Sequence, residues 1–206
     1  MSQAARTLDD TPRRRVREPE RDHRWVLNGA TWADFQRLLE LRGERPAPRY
    51  AYLEGQLEIM SPSRFHEQIK SMIGRLIEAW CFETEVDITP YGAWLLENKA
   101  KARGIEPDEC YVLGDVDDPS VPDLAIEVVW TSGGIDKLEI YRGLGVREVW
   151  YWEEDELRLF ALREGRYEPV ERSEVLPGLD HGLLLRFVEV HPMTKAVRAY
   201  RAALRA

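Results

Sequence analysis

Residues 122–130 read Pro-Asp-Leu-Ala-Ile-Glu-Val-Val-Trp, an apolar run broken by single carboxylates. Drawn as a strand, it puts Leu124, Ile126, Val128 and Trp130 on one face. Asp123, Ala125, Glu127 and Val129 fall on the other. Glu127 therefore stands mid-strand among apolar neighbours. A lone buried carboxylate is expensive unless it is paired or bound to a metal. Glu127 is read as a metal-ligating acid, against two plainer readings: an edge strand with a wet second face, or a salt bridge to an arginine.

A second acidic stretch, Pro107-Asp108-Glu109, and the lysine Lys137 favour the metal reading. Residues 107–113 and 121–130 read as two strands around an acidic turn, 114–120. Asp123 shares the face of Glu127 but lies about 13 Å away along the strand. One ion cannot bridge that span, because ligand oxygens must come within ~2.0–2.6 Å of it. With the turn centred near residue 117, position 108 falls opposite 126, give or take two. Directly opposite residues have Cβ atoms ~4.5–5.5 Å apart, so Asp108 can reach the same ion as Glu127. Asp108 is assigned to the metal with Glu127. Asp123 reads as a residue bonding nearby backbone or arginine and stays a secondary candidate.

Lys137 opens a short helix over about 136–144. The pair Gly133-Gly134 lets the chain fold back over the strand, and Tyr141 lies one turn later on the same face. A lysine is ordinarily solvated, but this context sets Lys137 beside the acids. Two strand carboxylates and a lysine are what a divalent-metal phosphodiesterase needs: oxygen ligands for a hard cation and a charge to steady the phosphate. His66 and Glu67 open the clearest helix, whose stripe is Ile69, Met72, Ile73, Leu76, Ile77 and Trp80. His66 shares the face of Ile69 and Ile73 and is either a satisfied core histidine or a catalytic one. Glu67 is an extra carboxylate on a face that solvent can reach. The chain has no Gly-rich phosphate loop with Lys-Ser/Thr and no Gly-x-Ser-x-Gly elbow, which argues against NTPase and α/β-hydrolase chemistry.

The 206 residues suit one domain with a full core. No apolar run approaches the ~18–20 residues that cross a membrane, and no signal peptide is evident. The expectation is a cytoplasmic protein with no membrane partner, in which Cys81 and Cys110 are reduced core thiols. The net charge of −8 does not advertise nucleic-acid binding, though a local basic patch can coexist with it. Residues 1–24 are read as a disordered or loosely attached basic arm, whose Arg13, Arg14, Arg15 and Arg17 are mainly solvated. The domain spans 25–192, and 193–206 form a helical or flexible tail. Within the domain Thr31 and Asp34 cap a first helix that Gly43 ends. Two short strands follow around Glu54-Gly55, then strands near 86–89 and 93–96 and a polar stretch, 99–104. After the lysine helix come strands at 148–152, 157–161 and 167–171. That order gives a mixed α/β domain. Trp150 and Trp152 flank an alternating strand, and an exposed face there would suit a homodimer.

These segments resemble the Uma-two family of bacterial restriction-endonuclease-like proteins, in the PD-(D/E)XK nuclease superfamily. The resemblance is carried by Tyr52-Leu-Glu-Gly-Gln-Leu-Glu-Ile-Met-Ser-Pro-Ser, the helix from His66, and Glu106-Pro107-Asp108-Glu109. It continues through Val121-Pro-Asp-Leu-Ala-Ile-Glu-Val-Val, Asp136-Lys-Leu-Glu-Ile-Tyr, Gly145-Val-Arg-Glu-Val-Trp and Leu176-Pro-Gly-Leu. It implies a restriction-endonuclease-like fold, a central mixed β-sheet flanked by helices. Asp108 would supply the first motif half and Glu127 the second. The lysine expected two residues after the acid is Val129 here, and Lys137 matches a position displaced onto the helix. Gln56 stands where similar sequences often carry Glu and is not counted as a ligand. The implied activity is Mg²⁺- or Mn²⁺-dependent DNA endonuclease. The alternative is a catalytically inactive nuclease fold serving nucleic-acid binding or protein interaction, motivated by the acidic balance and the absent lysine at 129.

Overall fold

The computed structural model describes residues 21–129 and 134–206. In chain order these form β1 (His23–Asn28), α1 (Trp32–Arg42), β2 (Arg49–Leu53), β3 (Gln56–Ser61), α2 (Arg64–Thr84) and β4 (Ile88–Pro90). Next come β5 (Leu96–Asn98), a single 3-10 turn (Lys99–Lys101), β6 (Arg103–Ile105), β7 (Glu109–Leu113) and β8 (Leu124–Val129). The rest are α3 (Lys137–Leu144), β9 (Glu148–Glu153), β10 (Glu156–Arg163), β11 (Arg166–Val170), α4 (His181–Val188) and α5 (Met193–Leu204).

Local chemistry sets the helix boundaries. Thr31 and Asp34 form a reciprocal capping box at α1, so Asp serves where Glu or Gln is commoner. Ser63 caps α2 by accepting the His66 N–H. Asp136 caps α3 by accepting the Glu139 N–H, which makes Lys137 the first residue of that helix. Gly145 ends α3 in the left-handed region, at φ 87°.

The mixed sheet runs β11-β10-β9-β8-β7-β4, with helices on both faces of its centre as the sequence predicts. Strands β8 and β9 pair in parallel, joined through α3, and the other pairs are antiparallel. A second sheet, β1-β3-β2-β6-β5, is antiparallel throughout. Strand β8 is covered on both faces. Leu124, Ile126 and Val128 pack with α2, α4 and α5, while Ala125 packs with α3 and the second sheet. Glu127 shares the side of Ala125.

Several expectations shift. Strand β1 starts at His23, inside the predicted arm, and Asp22 just before it is buried. Asp22 accepts the Ser63 N–H at 2.7 Å and meets His66 Nδ1 at 2.9 Å. Those contacts are long-range in sequence, so the polar composition hid them. The Arg13–Arg17 run, Trp130 and Gly133 lie outside the described residues. The polar stretch 99–104 conceals β6, an interior strand of only three residues and too short to show alternation. Arg103 can be buried there because Glu54 and Glu139 pair with it. The strand predicted at 93–96 begins at Leu96 instead. The C-terminal tail is helical: α5 packs on α2, and Arg201 and Arg205 pair with Glu83. Trp150 and Trp152 are both buried against the α2 side, so the exposed face invoked for a homodimer is absent from β9. Cys81 and Cys110 are free and buried, and burial pushes both thiols up to about 12. Among the described residues no helix is long and apolar enough to cross a membrane.

The Asp22 contacts place the edge of the folded unit before residue 25. A chain beginning at Trp25 should unfold at lower urea than one beginning at Arg21, with about 1–3 kcal/mol less stability. Equal midpoints would mean that Asp22 contributes nothing to the fold.

Candidate active site

Strands β7 and β8 pair with Glu109 opposite Ile126 and Cys110 opposite Ala125. The next pair in that register is Asp108 and Glu127. Asp108 Oδ2 accepts the Val128 N–H at 2.7 Å, which ties the residue ahead of β7 to the middle of β8. Both carboxylates are buried, Asp108 1% and Glu127 0% exposed. Helix α3 delivers their neighbours from above the sheet. Lys137 Nζ donates to Glu127 Oε2 at 2.5 Å, and the Tyr141 hydroxyl, four residues on, donates to Oε1.

Asp108 Oδ1 receives the opposite side of the cluster. Arg49 Nη1 donates to it, and His66 Nε2 lies 2.9 Å away. Arg49 comes from the head of β2 and also reaches Glu67 Oε1 at 2.6 Å. Lys70 holds the other oxygen of Glu67 at 3.0 Å. His66 is 0% exposed and sits between two aspartates, Asp108 and Asp22. On the Lys137 side, Glu58 of β3 is buried, accepts the Ile135 N–H at 3.2 Å and faces Arg24 at 3.6 Å. Gly134 is required here: its φ is 121°, and a β-carbon would run into Glu58 Oε2.

Burial makes these charges depend on one another. For Asp108, burial favours the neutral acid, but His66 and Arg49 outweigh it and hold the carboxyl well below the usual range. For Glu127, burial dominates and raises the pKa, with Lys137 opposing and Asp108 reinforcing. Burial alone would lower Lys137, yet Glu127, Asp108 and Glu58 keep it above its ordinary value. His66 is likewise raised, to about 9, because Asp108 and Asp22 override burial. The arrangement therefore keeps Asp108 ionised and Lys137 and His66 protonated, and leaves Glu127 easier to protonate than Asp108.

The structure brings together Asp108, Glu127, Lys137, Tyr141 and His66, with Glu67 joined to them through Arg49. It sets Asp123 apart. Asp123 accepts the Leu113 N–H at 2.8 Å and pairs with Arg147 at 2.7 Å, at the far end of β8. Sequence reading missed Arg49, Glu58 and Asp22. Glu58 carries the same signal that singled out Glu127, a carboxylate inside the apolar run Leu57-Glu58-Ile59-Met60. Arg49 at the head of a fully buried strand was a comparable sign. Asp22 has no local signal.

Asp108 and Glu127 are hard oxygen donors, a set that suits Mg²⁺ or Mn²⁺, which bind through one or two carboxylates and complete their shell with water or phosphate oxygens. Among the described residues no group of three or more His, Cys, Asp or Glu is placed to hold a metal. An ion held by the carboxylate pair would draw its remaining ligands from solvent or substrate.

A family model described as "Putative restriction endonuclease" matches residues 32–188. The chain belongs to that family, Uma2. The Uma2 match runs from the first residue of α1 to the last of α4, so it contains Asp108, Glu127 and Lys137 and begins after Asp22 and Arg24. Among solved structures, a crystal structure described as a "putative nuclease" from Anabaena variabilis is similar. The similarity covers 79% of this chain and 96% of that one, at 14% identity and a TM-score of 0.49. No curated protein matches the chain.

The His66 environment has a pH consequence. Its folded pKa of about 9 exceeds the unfolded 6.5, so its contribution is full below 6.5 and is lost as pH rises through 9. The stability advantage of wild type over His66→Gln should shrink by roughly 3 kcal/mol across that window in denaturant titrations. A pH-independent difference would contradict the charged, aspartate-flanked histidine.

Proposed function

We propose that this chain is a divalent-metal-dependent nuclease that hydrolyses phosphodiester bonds of DNA. The observation carrying this reading is the placement of Asp108, at the entry to β7 and bonded to the Val128 N–H, beside Glu127 of β8, with Lys137 on the second acid. Asp108 and Glu127 would hold Mg²⁺ or Mn²⁺. When bound, such an ion lowers the pKa of a water and neutralises phosphate charge.

The chain's own groups have separate tasks. The Val128 N–H fixes the angle of Asp108, and the Tyr141 hydroxyl fixes that of Glu127. Lys137 keeps its proton, so it serves as a fixed positive charge for the phosphoryl oxygens rather than as the base that takes a proton from water. Arg49 adds a second cation whose planar fork spans Asp108 and Glu67 and suits a phosphate equally well. Ion pairs on Asp108 and Glu127 must open for their oxygens to become ligands.

That last requirement supports the second reading. Each oxygen of Asp108 and Glu127 already has a protein partner, in Arg49, His66, Val128, Lys137 and Tyr141. A self-satisfied cluster of this kind is also what a non-catalytic member of the fold would keep for structure.

Plasmid and single-stranded DNA incubated with Mg²⁺ or Mn²⁺ separate the two readings. Cleavage by wild type that Glu127→Ala lacks is expected. Lys137→Ala should lower kcat about 10²–10³-fold. Equal activity in wild type and Glu127→Ala would sink the site, and no cleavage of any substrate would favour the structural reading.

A further inference from the structure

Arg49 has two sides. Inward it touches Asp108, and outward it lines a cleft of about 620 Å³ between the α1–β2 loop and the start of α2. Cations outnumber carboxylates in that lining. Arg42, Arg45, Arg49 and Lys70 face Glu44, Glu67 and Glu106, in a chain whose net charge is −8. Two of the carboxylates are already held: Glu106 by Arg42 at 2.5 Å, and Glu67 by Arg49 and Lys70.

One guanidinium in the cleft, that of Arg45, has no carboxylate of its own among the described residues, and a second, that of Arg49, keeps one donor unused beside its bonds to Asp108 and Glu67. Arg45 is braced by backbone carbonyls, Nε to Arg42 O at 2.8 Å and Nη2 to Leu41 O at 2.6 Å. Among the described residues no carboxylate lies within ion-pair distance of it. Arg49 is 7% exposed at its side chain, yet its Nε has no hydrogen-bond partner among the described residues. An unsatisfied buried donor is costly, and a braced guanidinium is preorganised for a bidentate anion.

We infer that this cleft binds a phosphodiester group of a nucleic-acid strand, with Arg45 and Lys70 as its cationic rim and Arg49 as the link to Asp108. The choice of a phosphodiester over other anions rests on the nuclease reading above. Arg45 and Lys70 bind, and take no part in bond cleavage. Glu44, exposed on the same rim, opposes the ligand.

The test is fluorescence anisotropy of labelled single-stranded and duplex DNA oligonucleotides in EDTA, titrated over a range of salt. Counterion release gives each lost phosphate contact a salt slope smaller by about 0.7–0.9, which is up to about eightfold in affinity at 0.1 M salt. Arg45→Ala and Lys70→Ala should each show that loss, Glu44→Gln should tighten binding, and Arg163→Ala, on β10 far from the cleft, should match wild type. Preference for one oligonucleotide over the other would identify the strand form that the cleft takes. Wild type that binds neither oligonucleotide, or Arg45→Ala and Lys70→Ala that bind as wild type does, would overturn the inference. Binding that falls with Arg45→Ala in a protein that never cleaves would keep the cleft and remove the nuclease. Cleavage with unchanged KM in Arg45→Ala would do the reverse.

Discussion

A carboxylate shut away from water must be given a positive partner or a proton, and Glu127 is 0% exposed on a strand covered on both faces. Much of the local architecture answers to that requirement. Lys137 can reach Glu127 because α3 crosses directly over β8, and α3 starts where it does because Asp136 caps it. Glu58 holds the Ile135 N–H at the approach to that cap, which needs the left-handed glycine at 134. On the other flank, Arg49 and His66 neutralise Asp108, and Asp22 then neutralises His66. The two sheets, α2 and the segment ahead of β1 all meet at one buried electrostatic cluster.

Buried ion pairs of this kind are poor sources of net stability, because desolvation offsets most of the attraction. Removing one partner is another matter, costing about 3–5 kcal/mol by leaving a bare charge inside. The cluster is therefore hard to dismantle by single steps and rigid once formed. Rigidity of this sort is useful to a catalytic constellation, whose groups must be held in place before substrate arrives. Glu148 offers a contrast inside the same sheet. It is equally buried, but it accepts N–H groups from Trp150, Glu174 and Val175 and, among the described residues, has no lysine or arginine partner. Burial of an acid alone does not mark a site; Glu127 differs from Glu148 in having a lysine as its partner.

Much of this was legible in the sequence because it was local. The β7–β8 hairpin is a short-range pairing, so the turn length alone put Asp108 near Glu127, within the stated margin of the observed register. The stripe of α2 and the capping residues of α1 and α2 were likewise written in neighbouring residues. Asp123 and Glu127 could be separated by strand rise alone. What escaped was long-range. Asp22 meets His66 across 44 positions and Arg49 meets Asp108 across 59, with no periodicity linking either pair. Strand β6 escaped because three residues carry no pattern, and α4 because its eight residues make barely two turns. Trp150 and Trp152 were misjudged because alternation cannot tell a wet face from one that a distant helix covers.

Crystals soaked in Mn²⁺ and measured at the manganese edge would test the central assignment most directly. An anomalous peak about 2.0–2.3 Å from carboxylate oxygens of both Asp108 and Glu127, with Lys137 Nζ moved off Glu127, is the result that a metal-dependent site requires. Intact Lys137–Glu127 and Arg49–Asp108 pairs with no peak between the acids at saturating Mn²⁺ would contradict it and leave the cluster as a structural core.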